Sequence, residues 1–197
     1  IKINNTGYLQ TIAVDALLEL CNELDCKIEI LAPKGTFILK NVPIARCDKE
    51  LDEEQRNHLL TCFGFSRSEI VKHNYILGFK QLTEIAIKAM SPGINDPGTA
   101  ITCIDYLSEL FALRLRKEDF SYIKNKDDEA VISLRTIDFK ELIYFVFVPL
   151  RGYCKHDVVM LHKMLTALYF LLQTKSVINN AEEIIIDEIN LILIDAK

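Results

Sequence analysis

The residues best suited to chemistry surround a polar turn at residues 91–99, which reads Ser-Pro-Gly-Ile-Asn-Asp-Pro-Gly-Thr. Asp96 in the turn, or Glu84 before it, could act as a general acid or base or ligate a cation, while Ser91 and Asn95 position a small molecule. A glutamine and a glutamate three residues apart precede the turn on one predicted helix, so their side chains are neighbours. The predicted ligand-binding set is Gln81, Glu84, Ser91, Asn95, Asp96 and Thr99.

The same residues also fit a purely structural role that requires no ligand. Asp96 stands directly before a proline, which is the pattern of a helix N-cap. Asn95 and Ser91 could then satisfy amides of the turn, and Glu84 could pair with Lys88 one helical turn later. A phosphate ligand is disfavoured in either case, because an ionised Asp96 already occupies the positive end of the helix.

Motifs for other kinds of chemistry are missing from the sequence. Six cysteines occur at irregular spacings that form no zinc-ligand pattern, at Cys21, Cys26, Cys47, Cys62, Cys103 and Cys154. Four scattered histidines add no partner to them, at His58, His73, His156 and His162. The sequence has no phosphate-binding loop, dinucleotide fingerprint or nucleophile elbow. We therefore predict no metal, no cofactor and no catalytic residue.

The composition narrows the class of protein. Of 197 residues, 50% are hydrophobic and 26% are charged, which is typical of a globular, core-forming chain. A net charge of −5 without a basic cluster argues against binding to nucleic acid. Unpatterned cysteines within apolar helical segments indicate a reducing compartment, so we predict that the chain lies in the cytosol.

Short β-prone segments and two helices make up the first third of the chain. Turn and β-branched residues predict strands at 6–12, 27–31, 36–39, 44–47 and 62–66. Helical spacing predicts a helix at 14–24 and another at 52–60, the latter with acids in its first turn. These strands could form a small sheet or a small barrel.

Longer helices dominate the rest of the chain. A helix from Ser68 to about Met90 should bury Tyr75, Phe79, Leu82, Ala86 and Ala89, and a second helix after the turn should bury Ala100, Ile104, Leu107 and Phe111. Joined by the rigid turn, these two form a helical hairpin. Three further helices are predicted at 138–151, 156–173 and 181–195, the first two separated at Gly152.

The predicted fold is α+β and mainly α, with a small N-terminal β module packed on a helical bundle that is built around the central hairpin. We predict a mixed β/α module at 1–68 and a helical bundle at 69–197, with a small β-hairpin near 122–137. The last helix carries too many apolar residues for one narrow stripe, which suggests either burial or a subunit interface. A homo-oligomer is therefore expected.

No segment could cross a bilayer, because the longest apolar stretch, Leu142–Leu150, is half of the roughly 18 residues required. The start at Ile1, without an initiating Met or a signal-peptide pattern, predicts that the chain is a piece of a longer protein.

The central segment also carries a resemblance to a known family. Residues 81–86 and 89–100, with Gly7-Tyr8-Leu9-Gln10, Gly35-Thr36-Phe37 and Arg67 in the same order, resemble the bacterial membrane proteins of domain of unknown function 2254. The resemblance implies transmembrane helices upstream of Ile1, in the inner membrane, with this portion on the cytoplasmic side. Family members tend to carry Gln-Asp where this chain has His73-Asn74, and a bulky residue where it has Gly98.

Two functions remain open from the sequence. The first is a soluble scaffold, oligomerisation or regulatory domain of a membrane assembly, including one that moves ions or small solutes. The second is a membrane-tethered enzyme or small-ligand sensor that uses the turn at Ser91–Thr99. The family has no established reaction that could be transferred. We prefer the first function, because helix capping and the satisfaction of turn amides require no ligand.

Overall fold

The structure is a computed structural model that describes residues 1–196. The helices in this range are α1 (Val14–Leu24), α2 (Glu53–Thr61), α3 (Tyr75–Ala89), α4 (Pro97–Arg114), α5 (Phe139–Cys154), α6 (Val158–Leu172) and α7 (Ala181–Asp195). The strands are β1 (Gly7–Ile12), β2 (Ile28–Ile30), β3 (Phe37–Ile38), β4 (Ala45–Cys47), β5 (Phe63–Ser66), β6 (Tyr122–Lys124) and β7 (Ala130–Leu134).

The described chain divides into two compact units. The mixed unit contains Ile1–Leu77 and Phe120–Ile137, and the helical unit contains Gly78–Asp119 and residues 138–196. This division differs from the predicted boundary between residues 68 and 69. The hairpin near 122–137 belongs to the mixed unit, because β7 pairs in parallel with β2 and so joins a sheet started by the N-terminal strands.

Two small open sheets form the mixed unit. One is antiparallel in the order β3-β1-β5, and the other has the order β4-β2-β7-β6 with a single parallel pair, β2 and β7. Strand β2 alternates buried Ile28, exposed Glu29 and buried Ile30, as a strand with one face on a core must. Helix α1 buries Leu17, Leu20 and Cys21 in that core.

An aromatic cluster lies in the core of the helical unit. The ring of Phe111 on α4 is fully buried and lies 4.8 Å from Phe79 of α3, 6.0 Å from Phe139 and 5.9 Å from Phe147 of α5. Aromatic pairs at these separations gain energy beyond simple burial. The contact of Phe79 with Phe111 also shows that α3 and α4 are separate helices that touch, as the predicted hairpin requires.

The predicted α+β, mainly α fold class is confirmed, with the main differences at two helices. Helix α3 begins at Tyr75 rather than Ser68, because residues 70–74 form hydrogen-bonded turns. Tyr75 is exposed, whereas Phe79 and Ala86 of the same predicted face are buried. Helix α5 continues through Gly152 to Cys154, since burial of Cys154 outweighs the roughly 1 kcal/mol that a glycine costs a helix.

The final helix is only partly covered. Ile185 and Ile192 of α7 are buried within the helical unit. Ile186, Leu191, Leu193 and Ile194 each remain at least 40% exposed. The described residues therefore bury one face of α7 and leave apolar side chains on the other.

Candidate functional site

The turn between α3 and α4 is held together by its own backbone. The Ser91 carbonyl accepts hydrogen bonds from the N–H groups of Ile94 (3.0 Å) and Asn95 (2.9 Å). The Asp96 N–H donates to the Ala89 carbonyl at 2.8 Å, which ties the start of α4 to the end of α3. Asn95 adopts a left-handed conformation with φ of 48°, which asparagine tolerates better than most residues.

Asp96 is the N-cap of α4. Its Oδ1 accepts a hydrogen bond from the Thr99 N–H at 3.1 Å, and the Thr99 hydroxyl donates to its other oxygen. These bonds, the hydroxyl contact first, hold the pKa of the Asp96 carboxyl below its usual range. The Ser91 hydroxyl is likewise used, since it donates to the Lys88 carbonyl at 2.7 Å. Local hydrogen bonds therefore engage the side chains of Ser91, Asp96 and Thr99.

The other two predicted site residues lie away from the turn. Gln81 and Glu84 are exposed on α3, and a rise of 1.5 Å per residue places them about 15 Å and 10 Å before Ser91 along the axis. No Glu84–Lys88 ion pair is formed among residues 1–196. The structure thus brings Ser91, Asn95, Asp96 and Thr99 together and leaves Gln81 and Glu84 apart from them. Whether these residues bind a ligand stays a prediction.

Gly35, from the Gly35-Thr36-Phe37 segment that resembles the family, lies against Asn74 in the mixed unit. Gly35 has a φ of +85°, and a Cβ there would lie 2.0 Å from the side-chain nitrogen of Asn74. The Asn74 side chain donates to Glu69 and accepts from the Ile76 N–H, each at 3.2 Å. It therefore caps the start of α3, a role that an aspartate could also fill.

A cluster of thiols in the mixed unit was not predicted. The sulfurs of Cys26 and Cys47 and a carboxylate oxygen of Asp48 all lie within 4.8 Å of one another. Cys26 is buried, Cys47 is half-buried and Asp48 is exposed, so the cluster reaches the surface at one side. The buried Cys21 thiol contacts that of Cys26. All six cysteines are free thiols.

Burial dominates the electrostatics of these thiols. It raises the pKa of Cys26 to about 12, with hydrogen bonding and repulsion from Cys47 adding to the effect. It raises the pKa of Cys21 to about 11, against an opposing hydrogen bond from Cys26. Both groups are thiols at neutral pH when nothing is bound, and in that state they are weak nucleophiles.

Strand pairing explains why spacing alone missed the cluster. In the antiparallel pair of β2 and β4, Ile28 lies opposite Cys47, which brings residues 26 and 47 close although 21 residues separate them. The alternation of residues 27–31 was a usable signal for a strand, but its pairing with the apolar segment at 44–47 could not be predicted from either segment alone.

A broad apolar face on α5 was also not predicted as such. Tyr144 and Tyr153 are 64% and 60% exposed, Phe145 is 42% exposed, and Val148 and Pro149 between them are half-buried. At 100° per residue these five side chains occupy one side of the helix. The opposite side of α5 is buried, so this helix is apolar nearly all round.

Comparison with known proteins places the chain in a family. The family model described as predicted membrane protein, domain of unknown function 2254, matches residues 1–169. The chain belongs to this family. The resemblance carried by the turn and the N-terminal motifs is thereby confirmed, and the protein is part of a predicted membrane protein family.

The relatives are longer than this chain. Uncharacterised proteins of Mycobacterium bovis and of Mycobacterium tuberculosis are each 25% identical to it over 175 residues. The match covers 83% of this chain and 33% of each relative, so the chain spans about a third of the length of the curated relatives it matches. No solved structure is significantly similar. Among residues 1–196, none of the helices has the length and apolarity needed to span a bilayer.

Proposed function

We propose that this chain is a self-associating assembly domain of a bacterial membrane protein, and that two copies meet through the outer face of α5. The observation that carries the proposal is the exposed apolar side of that helix. Large aromatic side chains that stay exposed together commonly mark an interaction surface. The family assignment supplies the membrane context, and the relatives contain additional chain that could hold the anchor.

The α5 face has no charged side chain along its centre. Between Glu141 and Lys155, its outward positions are aromatic, aliphatic, proline or glycine. Pro149 has no backbone N–H, so the Phe145 carbonyl on this side lacks its usual helical hydrogen bond. Tyrosine and phenylalanine are enriched in interface centres because they bury a large area with little loss of side-chain entropy.

The distribution of charge favours a second copy of this chain as the occupant. Glu141 and Lys155 lie at opposite ends of the face and are equally far in sequence from Val148. Two copies of α5 packed antiparallel about Val148 would set each acidic end against a basic end. A two-fold axis through Val148 would also align the two helix dipoles in opposite directions.

The proposal includes the cytoplasmic side of the inner membrane as the location of the domain. Six free thiols in a chain of this size support a reducing compartment. The same domain would then act as a scaffold or regulator, because a change in its dimer contact would be transmitted to the membrane part of each subunit. Capping by Asp96 and Ser91 favours this role over a ligand sensor built on the turn.

Sedimentation velocity on the purified chain over a wide concentration range tests the proposal. We expect a monomer–dimer equilibrium that Tyr144→Lys with Tyr153→Lys shifts strongly towards monomer. Because both copies carry the two substitutions, the dimer loses four aromatic anchors, each worth at least about 2 kcal/mol in a typical interface, which corresponds to a weakening of roughly 10⁵-fold or more.

Tyr106→Lys with Tyr169→Lys is the matched control, because these tyrosines of the same unit are 53% and 58% exposed. It should leave the dimer unchanged. A chain that is monomeric at all concentrations contradicts the proposal, as does a dimer that the control weakens as much as the α5 variant. A chain that binds lipid vesicles through Tyr144 and Tyr153 but does not self-associate would assign the face to the membrane and also reject the proposal.

A further inference from the structure

We propose that Cys26, Cys47 and Asp48 form a metal-binding site in the mixed unit, and that its ion is Zn²⁺. Two sulfurs and one carboxylate oxygen are ligands that zinc accepts. Ca²⁺ and Mg²⁺ prefer shells made entirely of oxygen, so this donor set does not suit them. The site stands on the geometry of these three side chains and does not depend on the proposed dimer.

The distances between the donor atoms suit a tetrahedral ion after a small adjustment. A zinc–sulfur bond of about 2.3 Å places tetrahedral ligand atoms roughly 3.5–3.8 Å apart. The three donor atoms already lie within 4.8 Å of one another, and the Cys47 sulfur is 4.0 Å from Oδ1 of Asp48. A contraction of at most about 1.3 Å is therefore needed. Side-chain rotation of the partly exposed Cys47 and the exposed Asp48 could supply it.

The backbone holds the ligands in place. The Lys27 N–H donates to Oδ1 of Asp48 at 2.7 Å, and the Asp48 N–H donates to the Lys27 carbonyl at 3.1 Å. This arrangement fixes the carboxylate beside the Cys47 thiol, and holding a ligand in position is the usual task of a group behind a metal ligand. Cys26 follows the left-handed C-cap Asp25 of α1, and its N–H donates to the Cys21 carbonyl at 3.0 Å.

The remaining coordination position would be filled by water. The cluster is open on the side of Asp48 and Cys47, which gives an ion a path from solvent. Lys49 lies beside this opening, where its ammonium group is held 2.9 Å from Asp25. Two thiolates and a carboxylate around a divalent ion leave one net negative charge, which this nearby ammonium group offsets. Three protein ligands and a water make an open zinc site.

Metal titration of the intact, reduced chain tests the site. Zinc should bind with a stoichiometry of one in competition with a chromophoric chelator, and Co²⁺ should give sulfur-to-cobalt charge-transfer and tetrahedral d–d absorption bands. Cys47→Ser and Asp48→Asn, both at partly or fully exposed positions, should fold normally. Each should weaken zinc binding by more than the ~10–100-fold typical of losing a group behind a ligand.

Cys103→Ser is the matched control, because it replaces a buried thiol of the helical unit. It should leave the zinc affinity and the cobalt spectrum unchanged. The absence of cobalt–thiolate bands overturns the site, as does zinc binding that Cys47→Ser does not alter. A reduced chain that binds no zinc but links Cys26 to Cys47 on oxidation would also overturn it.

Discussion

Two polar regions of the helical unit differ in how far apart their partners lie in the sequence. In the α3–α4 turn, Asp96 bonds to Thr99 three residues away, and the group is exposed. In the second region, Arg151 of α5 pairs with Glu188 and Asp195 of α7, 37 and 44 residues away, and the first two side chains are buried. The turn carries the recognisable motif, whereas the buried cluster carries none.

A motif that is easy to recognise in the sequence therefore need not contribute most to the free energy of unfolding. Exposed caps exchange bonds to water for bonds within the protein, so each contributes little. The buried cluster has removed charges from water, and its Arg151 Nε lies 2.8 Å from Glu188 Oε1. The N–H bond is not directed along that line, so the contact is an ion pair without an aligned hydrogen bond. Loss of one partner would leave the other charge buried alone.

The largest expected effect comes from Arg151→Met. It leaves Glu188 buried without a countercharge, and breaking such a pair typically costs about 3–5 kcal/mol. Urea denaturation followed by circular dichroism measures the loss. The double variant Arg151→Met with Glu188→Met should recover most of it, because no buried charge remains. Equal losses in the single and double variants would show that packing, and not the ion pair, sets the stability of this region.

The turn should respond more weakly. Asp96→Ala removes the cap of α4 and should lower Tm by a few degrees, whereas Asp96→Asn keeps an acceptor for the Thr99 N–H and should lower it less. Thermal unfolding of both variants measures this. If Asp96→Asn leaves stability intact but abolishes cellular function of the full-length protein, the carboxylate has a role beyond capping and the ligand site at the turn is supported.

The smallest effect concerns pH. Burial raises the pKa of Glu188 above its ordinary value of 4.5, while Arg151 acts in the opposite direction. The folded state therefore holds this proton more tightly than the unfolded chain. The contribution of Glu188 to stability is full below pH 4.5 and is lost as pH rises through the raised pKa.

Glu188→Gln removes this titration. The stability of the wild type relative to the variant should therefore fall as pH rises through the raised pKa and then level off, in denaturation curves over a pH series. Glu183→Gln, at an exposed position of the same helix, should show no such trend. A constant difference for Glu188→Gln across the series would contradict the assigned shift.

Local patterns predicted most elements of the fold. The helix at 14–24 and the helix at 181–195 were predicted with the bounds that the structure gives them. Errors arose where a local signal competed with packing. Gly152 was interpreted as a break, but Leu150 and Cys154 on either side are fully buried and hold the helix together. Ser68 was interpreted as a helix start, although the chain turns until Asn74 caps α3.

The candidate sites also differ in whether local sequence patterns could predict them. Asp96 and Thr99 could be paired from sequence because an N-cap and its partner lie only two or three residues apart. Cys26 and Cys47 could not, because their approach depends on the antiparallel register of β2 and β4. The outer face of α5 was also missed, because an apolar residue can be assigned to the core or to the surface only when the packing of its neighbours is known.

Local patterns were enough to identify the family, most of the helices and strands, and the capped turn, because each depends on residues within a few positions of one another. The pairing of β7 with β2, the contact of Arg151 with Glu188 and the convergence of Cys26, Cys47 and Asp48 appear only once the chain is folded. Those contacts join segments far apart in the chain, and many alternative pairings would satisfy the same local patterns. The packing of the whole fold selects among them.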